Sequence, residues 1–335
     1  MTLSRRSLLA LVPAAATLAA CGQGVDDKAP LKLGFFPNIT HAIALAGVER
    51  GLFKAELDKL GLGLETFPFN AGPAAIEALL SGALDATYVG PNPAINAFIK
   101  SKGEGVRVIA GAATGGAYFV VRPEIGAAED LRGKKVASPQ LGGTQDVALR
   151  GWLIGQGFKV DEFGGGDVSV TPQENAQTLE SFQSGQIAGA WVPEPWATRL
   201  IVEGGGKVLV DERDLWPQGR YTTTVLLVRA DRLKARADAI KALLRGHVAA
   251  ERWIAAEPAQ AKEVVNAAIK KITGKALPSA VIDRAWQNLR FTSDPVTEAM
   301  AENLQDAANL GFIKLPPGGL DGLFALELLR EVEEA

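Results

Sequence analysis

The chain has 335 residues, of which 47% are hydrophobic and 22% charged, with 35 basic side chains against 38 acidic and a formal net charge of −3. This is ordinary globular composition, and the acidic balance excludes the basic footprint of a nucleic-acid binder. A lone cysteine excludes an intrachain disulfide, and the length exceeds what one hydrophobic core usually serves, so two lobes are expected.

The first 21 residues read as an address. Ser4-Arg5-Arg6-Ser7 leads into an apolar run that ends in Leu18-Ala19-Ala20-Cys21. A basic start, about a dozen apolar residues and small residues before a cut form an export signal, and Arg5-Arg6 gives it a twin-arginine character. The run is too short for a membrane span, which needs about 20 apolar residues. Leu-Ala-Ala-Cys resembles the lipobox of bacterial lipoproteins, which implies removal of residues 1–20, acylation of Cys21 and a tether over 21–30. The expected location is outside the cytoplasm, held at a membrane surface by lipid.

From there the chain alternates. Residues 31–36 alternate as a strand, and 41–50 form a helix with Ile43, Ala46 and Gly47 on one face. A strand at 65–69 precedes a helix from Pro73, a strand at 86–89 precedes a helix from Pro93, and a fourth strand covers 107–110. A second block repeats the pattern, with strands at 118–121, 134–138, 168–171, 188–192 and 208–210 and helices from near Thr144, Pro172 and Pro195. Strand then helix, repeated, predicts parallel sheets covered on both faces. Residues 222–229 form one more strand. A helical tail follows at 231–256, 258–272, 278–289, 294–310 and 321–333. Crossovers are expected near 113–117 and 219–225. That makes 31–115 with 223–335 one lobe and 116–222 the other.

Catalytic and metal chemistry find little support. The two histidines, His41 and His247, are over 200 positions apart, no free thiol accompanies them, and no nucleophile-elbow or P-loop pattern occurs. His247 reads as an ordinary helix residue beside Leu243, Leu244 and Val248, while His41 follows strand one with Asn38 and Thr40, where a pocket is expected. Helix starts directly after strand ends recur instead. Gly72-Pro73, Asn92-Pro93, Pro172 and Pro195 place proline at a first turn, and Leu141-Gly142-Gly143-Thr144-Gln145-Asp146 is a glycine-rich start. Gly115 and Gly116 offer a similar spot beside the first crossover. Thr171 with Glu174 has the spacing of a capping box. Helix starts present unpaired N–H groups and a positive dipole end, and several converging on one cleft hold an anion without lysine or arginine. Trp191 reads as a buried strand residue. Trp196 and Glu194 lie beyond the strand end as pocket candidates, with Glu194 free to meet a ligand ammonium, to pair with Arg199 or to point away.

Five segments carry a resemblance that covers residues 31–312 in order. They are Asn70-Ala71-Gly72-Pro73-Ala74-Ala75, Val89-Gly90-Pro91-Asn92-Pro93-Ala94, Pro139-Gln140-Leu141-Gly142-Gly143-Thr144-Gln145-Asp146, Pro172-Gln173-Glu174-Asn175-Ala176 and Trp191-Val192-Pro193-Glu194-Pro195-Trp196. The chain resembles substrate-binding proteins of ABC transporters of the nitrate/sulfonate/taurine class, most of all the aliphatic-sulfonate binders. The resemblance implies a two-lobed α/β fold of the type II periplasmic-binding-protein kind, with two crossover strands and a helical C-terminal tail. It also implies closure over a small anion and docking on an ABC permease driven by a cytoplasmic ATPase, with no cofactor and no reaction. The ligand classes it covers are nitrate, sulfonates, taurine and thiamin-precursor pyrimidines. Asn38, Thr40, His41, Gly72, Asn92, Gly115, Gly116, Gly143, Thr144, Gln145, Glu194 and Trp196 are the expected binding residues, in a protein expected to act as a monomer. A head group held by backbone dipoles binds with affinity that is flat between about pH 6 and 8, since only His41 titrates there.

Overall fold

The structure is a computed structural model that describes residues 28–161 and 163–335. The expected signal peptide, Cys21 and all but the last three residues of the tether lie outside the described residues.

In the first half of the chain the elements are β1 (Leu31–Phe35), α1 (Ala42–Glu49), α2 (Leu52–Asp58), β2 (Leu64–Pro68), α3 (Gly72–Leu80), β3 (Ala86–Val89), α4 (Pro91–Lys100) and β4 (Val106–Gly115). The chain then crosses to β5 (Ala117–Val121), β6 (Lys135–Ser138), α5 (Thr144–Gly155), β7 (Ser169–Pro172), α6 (Asn175–Gln183), β8 (Gly189–Pro193), α7 (Trp196–Val202) and β9 (Lys207–Asp211). It returns through β10 (Thr222–Arg229) to α8 (Ala230–Ala235), α9 (Ala237–Ala256), α10 (Pro258–Thr273), α11 (Ser279–Gln287), β11 (Leu289–Phe291), α12 (Thr297–Asn309) and α13 (Glu327–Glu333).

Two sheets result, ordered β11-β4-β10-β3-β1-β2 and β7-β6-β8-β5-β9. Each carries apolar clusters on both faces. Residues on β3 and nearly all of β10 are buried throughout, the mark of central strands covered on both sides. The expectation of purely parallel sheets is corrected. β1, β2 and β3 run parallel, as do β6, β7 and β8, but β10 runs antiparallel to β3 and β4, and β5 antiparallel to β8 and β9. A strand that crosses between sheets enters without the helical crossover that enforces parallel pairing.

Several local readings change. Helix α4 begins at Pro91, not Pro93, because both prolines satisfy a first turn and the earlier one takes the N1 place. Thr171 and Pro172 are strand residues, paired with Ala137 and Ser138, so α6 starts at Asn175 and the capping box does not form. The long helix read over 231–256 breaks at Arg236, whose φ and ψ of −128° and 41° leave the helical region. Helix α2 and strand β11 were not anticipated, and the last helix spans only Glu327–Glu333.

Candidate functional site

Every parallel strand in both sheets ends on one cleft. β1 delivers Phe36, Asn38, Thr40 and His41, β2 delivers Asn70 to Pro73, and β3 delivers Gly90 and Pro93. From the other sheet, β6 delivers Pro139, Gln140 and Gly143 to Gln145, β7 delivers Asn175 and β8 delivers Pro193. These residues, with Thr223 and Thr224 of β10, enclose a cavity of about 50 Å³. Among the described residues no lysine, arginine, aspartate or glutamate lines it. Its polar groups are backbone at the starts of α3, α4, α5 and α6, together with amide, hydroxyl and imidazole side chains.

The cleft is shut. Trp196 Nε1 donates to Asn38 Oδ1 at 3.1 Å and Asn70 Nδ2 donates to Glu174 Oε1 at 3.2 Å, each bond joining an element of one sheet to one of the other. Gly90 lies directly against the Thr144 hydroxyl. Inside, Thr144 Oγ1 and Asn175 Oδ1 are buried without a partner. Buried polar atoms left unpaired cost about 1–3 kcal/mol each, so two of them facing one cavity mark where a ligand's atoms belong.

The glycine-rich start of α5 is held from behind. Asp146 is fully buried, and accepts from Ser138 Oγ at 2.6 Å, from the Gly142 N–H at 3.0 Å and from Arg150 Nε at 3.0 Å. Gly142 takes a φ of +70°, which glycine adopts without strain. The carboxylate thereby fixes the turn that sets Thr144 and Gln145 on the cavity wall. Their N–H groups are among the first of the helix, which no intrahelical carbonyl can satisfy.

His41 lines the cavity as expected, 2% exposed, its ring stacked on Phe36 at 4.3 Å. Its Nδ1 accepts the Phe36 N–H at 3.2 Å, which leaves the proton of the neutral ring on Nε2 as a donor. Burial pulls its pKa down to about 3. His247 lies in helix α9, as read. It is fully buried, its Nδ1 lies 2.8 Å from Tyr88 Oη, and burial pulls it to about 3 as well. Both histidines fall from an ordinary 6.5, so the unfolded chain binds more protons between pH 6.5 and about 3 and stability drops as pH falls through that window. Glu212 acts oppositely. Burial raises it from 4.5 to about 7, and its contribution is lost as pH rises through that range. Burial raises Glu194, Glu251 and Asp306 as well, so these carboxyls act with Glu212 against the two histidines as pH falls.

Asn38, Thr40, His41, Gly72, Gly143, Thr144 and Gln145 therefore line the cavity together. Trp196 closes the cleft through Asn38 rather than lining it, with the Arg199 guanidinium 4.6 Å above its ring. Four expected residues are placed elsewhere. Asn92 turns inward and donates to the Asn303 carbonyl at 3.3 Å. Gly115 and Gly116 sit at the crossover with φ of +75° and +72°, where the Thr223 hydroxyl and the Glu194 N–H bond their carbonyls. Glu194 is fully buried away from the cavity. It accepts from the Thr198 N–H at 3.1 Å, the Thr198 hydroxyl at 2.8 Å and Asn288 Nδ2 at 2.6 Å, while burial holds its carboxyl above the usual range. Arg199 pairs with Glu203, not Glu194. Trp191 is buried as read, its indole donating to Glu212 at 2.6 Å.

Phe36, Asn70, Gln140, Asn175, Thr223 and Thr224 were not singled out as site residues. Asn175 was hidden by the apparent capping box. The run Thr222-Thr223-Thr224 at a crossover was the available signal for the β10 threonines, because hydroxyls are unexpected at the end of a fully buried strand.

The profile of the NMT1-like family matches residues 24–269. The chain is 28% identical to the taurine-binding periplasmic protein of Escherichia coli K12 over 193 residues, 57% of each chain. It is 24% identical to the putative aliphatic sulfonates-binding protein of Bacillus subtilis 168 over 329 residues, 92% of this chain and 90% of that one. The crystal structure of the periplasmic nitrate-binding protein NrtA from Synechocystis PCC 6803 superposes with a TM-score of 0.77 at 19% identity, covering 92% of this chain and 88% of that one. That last likeness carries the periplasmic-binding-protein fold, and the profile, which spans well over half of the sequence, shows that the chain belongs to the NMT1-like family.

Proposed function

We propose that this chain is an extracytoplasmic solute-binding protein of an ABC import system. It captures a small oxyanion of the sulfonate, taurine or nitrate type and hands it to a membrane permease powered by a cytoplasmic ATPase. In this reading Cys21 carries the lipid anchor, the protein acts as a monomer, and 31–115 with 223–335 closes as one body on 116–222. The observation that carries the proposal is the uncharged cavity enclosed by four helix starts. Each start favours negative charge by about 0.3–1 kcal/mol when exposed and up to ~2 kcal/mol when partly buried. Thr144, Gln145 and His41 Nε2 add hydrogen-bond donors. Relatives named for binding taurine and sulfonates, and not for catalysis, support the same reading.

The geometry also divides the ligand. The cavity of about 50 Å³ suits an anionic head, while a groove of about 580 Å³ just outside shares Asn70, Ala71, Pro139 and Gln140 with it and is walled by Phe69, Leu141 and Pro172. An alkyl tail fits there. A planar pyrimidine held between aromatic rings is disfavoured, since Phe36 and the His41 stacked on it are the ring side chains of the cavity among the described residues.

A thermal-shift panel of alkanesulfonates, taurine, nitrate, sulfate and thiamin pyrimidines tests the proposal, because a ligand that binds only the folded state raises the melting temperature. A rise with oxyanions alone is expected, and a rise with pyrimidines alone would overturn it. Glu194 faces Thr198 and Asn288, so Glu194→Gln should leave the ratio of taurine to ethanesulfonate affinity unchanged. A selective loss of taurine in calorimetric titration would put that carboxylate on the ligand ammonium.

A further inference from the structure

A second cavity lies at the far end of α5. It measures about 480 Å³, in the range of small-molecule sites and far larger than the cavity in the cleft. One wall is α5, through Val147, Gly151, Trp152 and Gly155. The opposite wall is α12, through Glu302, Asn303, Asp306 and Leu310, and the floor is Glu212 with Trp216 beside it. The walls thus come from elements attached to different sheets.

Three features point to an occupant. The α5 wall is bare, because a Cβ built at Gly151 or Gly155 meets nothing within 4 Å. Helix interiors disfavour glycine, and no packing neighbour demands it here. Next, every ionisable side chain of the lining is an acid: Glu212 at the floor, Glu302 and Asp306 at the exposed rim. Among the described residues none of the three has an ion-pair partner. Finally, Asn303 is 5% exposed, spends its Nδ2 on the Ala299 carbonyl at 3.1 Å, and leaves Oδ1 without a protein donor among the described residues. Glu212 is already met by the Trp191 indole, but the two rim carboxylates, the Asn303 oxygen and the two indole rings of the lining suit the same thing, a positively charged donor on an apolar body.

We propose that this cavity is a second ligand site, which takes a small organic ammonium whose charged end meets Glu302, Asp306 and Asn303 while its apolar body lies against Trp152, Trp216 and the glycine face of α5. Burial raises the Glu212 carboxyl to about 7, which fits a floor that lacks a cation. The site is independent of the anion reading of the cleft, since it shares no lining residue with it.

The experiment is calorimetric titration of the purified full chain with 2-phenylethylammonium, with 2-phenylethanol as the uncharged control. Saturable amine binding is expected, with the alcohol weaker by about tenfold or more. The double variant E302Q/D306N should lose amine affinity by at least that factor. Gly151→Leu should fill the cavity and abolish amine binding, with a melting temperature equal to or above that of the unaltered chain, because the new side chain enters open space on a helix. Equal binding of the alcohol, wild-type affinity in both variants, or no saturable amine binding would each overturn the proposal.

Discussion

Replacing Gly90 with alanine should weaken ligand binding by roughly fivefold to a hundredfold, the equivalent of about 1–3 kcal/mol of overpacking, while the ligand-free protein melts within a few degrees of the unaltered chain. Gly90 has φ −70° and ψ 160°, a conformation any residue adopts, so alanine brings no backbone strain. The added Cβ meets Thr144 Oγ1 and, at 3.5 Å, Thr144 Cβ. Gly90 follows β3 of one sheet, Thr144 opens α5 beside the other, and the two touch because the cleft is shut. The clash therefore falls on the closed form alone, and a ligand stabilises closure only by the contacts it gains there. Calorimetry for affinity and a melting curve for stability separate the effects. Unchanged affinity would mean that Gly90 and Thr144 do not meet when ligand is bound. A large fall in melting temperature without ligand would mean that the substitution damages the fold.

Asp146→Ala should be the most damaging substitution near the site, lowering stability by about 3–5 kcal/mol, as removal of one partner from a buried ion pair does. Arg150 is 2% exposed and would keep its charge with only the Asp161 carbonyl and the face of Phe312 for company. Ser138 and the Gly142 N–H would lose their acceptor at the same time. A shift in melting temperature of order ten degrees is expected for a domain of this size. The double change Asp146→Ala with Arg150→Met should recover part of that loss, because it removes the stranded charge, yet ligand affinity should stay low because the turn before α5 remains unanchored. Full recovery of binding in the double variant would show that the turn holds its own shape and that Asp146 serves stability alone.

The sequence made some of this legible and concealed the rest for identifiable reasons. The start of α5 at Thr144 was readable because Gly142-Gly143 ends one element and the apolar period of Val147, Leu149 and Leu153 begins the next. Sheet membership near the crossover was equally plain, from the glycine pair between two apolar runs. Local rules failed where two of them competed. Pro91 and Pro93 both satisfy a first turn, and Thr171 with Glu174 has capping-box spacing even though Thr171 is committed to the ladder with Ala137. Side-chain direction was the least legible property. Glu194 stands two residues before Trp196 in a segment that reads as a pocket wall, but its partner Asn288 is 94 positions away, and nothing local announces that bond. Asn92 is likewise claimed by Asn303, 211 positions on. Gly72, Gly143 and Thr144 line the cavity where the sequence put them, because helix starts are local features. Glu194 and Asn92, whose roles depend on a distant partner, do not.

The proposed anion is held by uncharged helix starts at the shut cleft. Titrating ¹⁵N-labelled full chain with ethanesulfonate, and following backbone amide resonances, tests this most directly. Saturable shifts should concentrate at Gly72, Gly143, Thr144, Gln145 and Asn175, of equal size and affinity at pH 6 and pH 8, since His41 is already neutral across that window with a pKa of about 3. Saturation that leaves those amides unmoved, or an affinity that falls steeply between the two pH values, would contradict that placement.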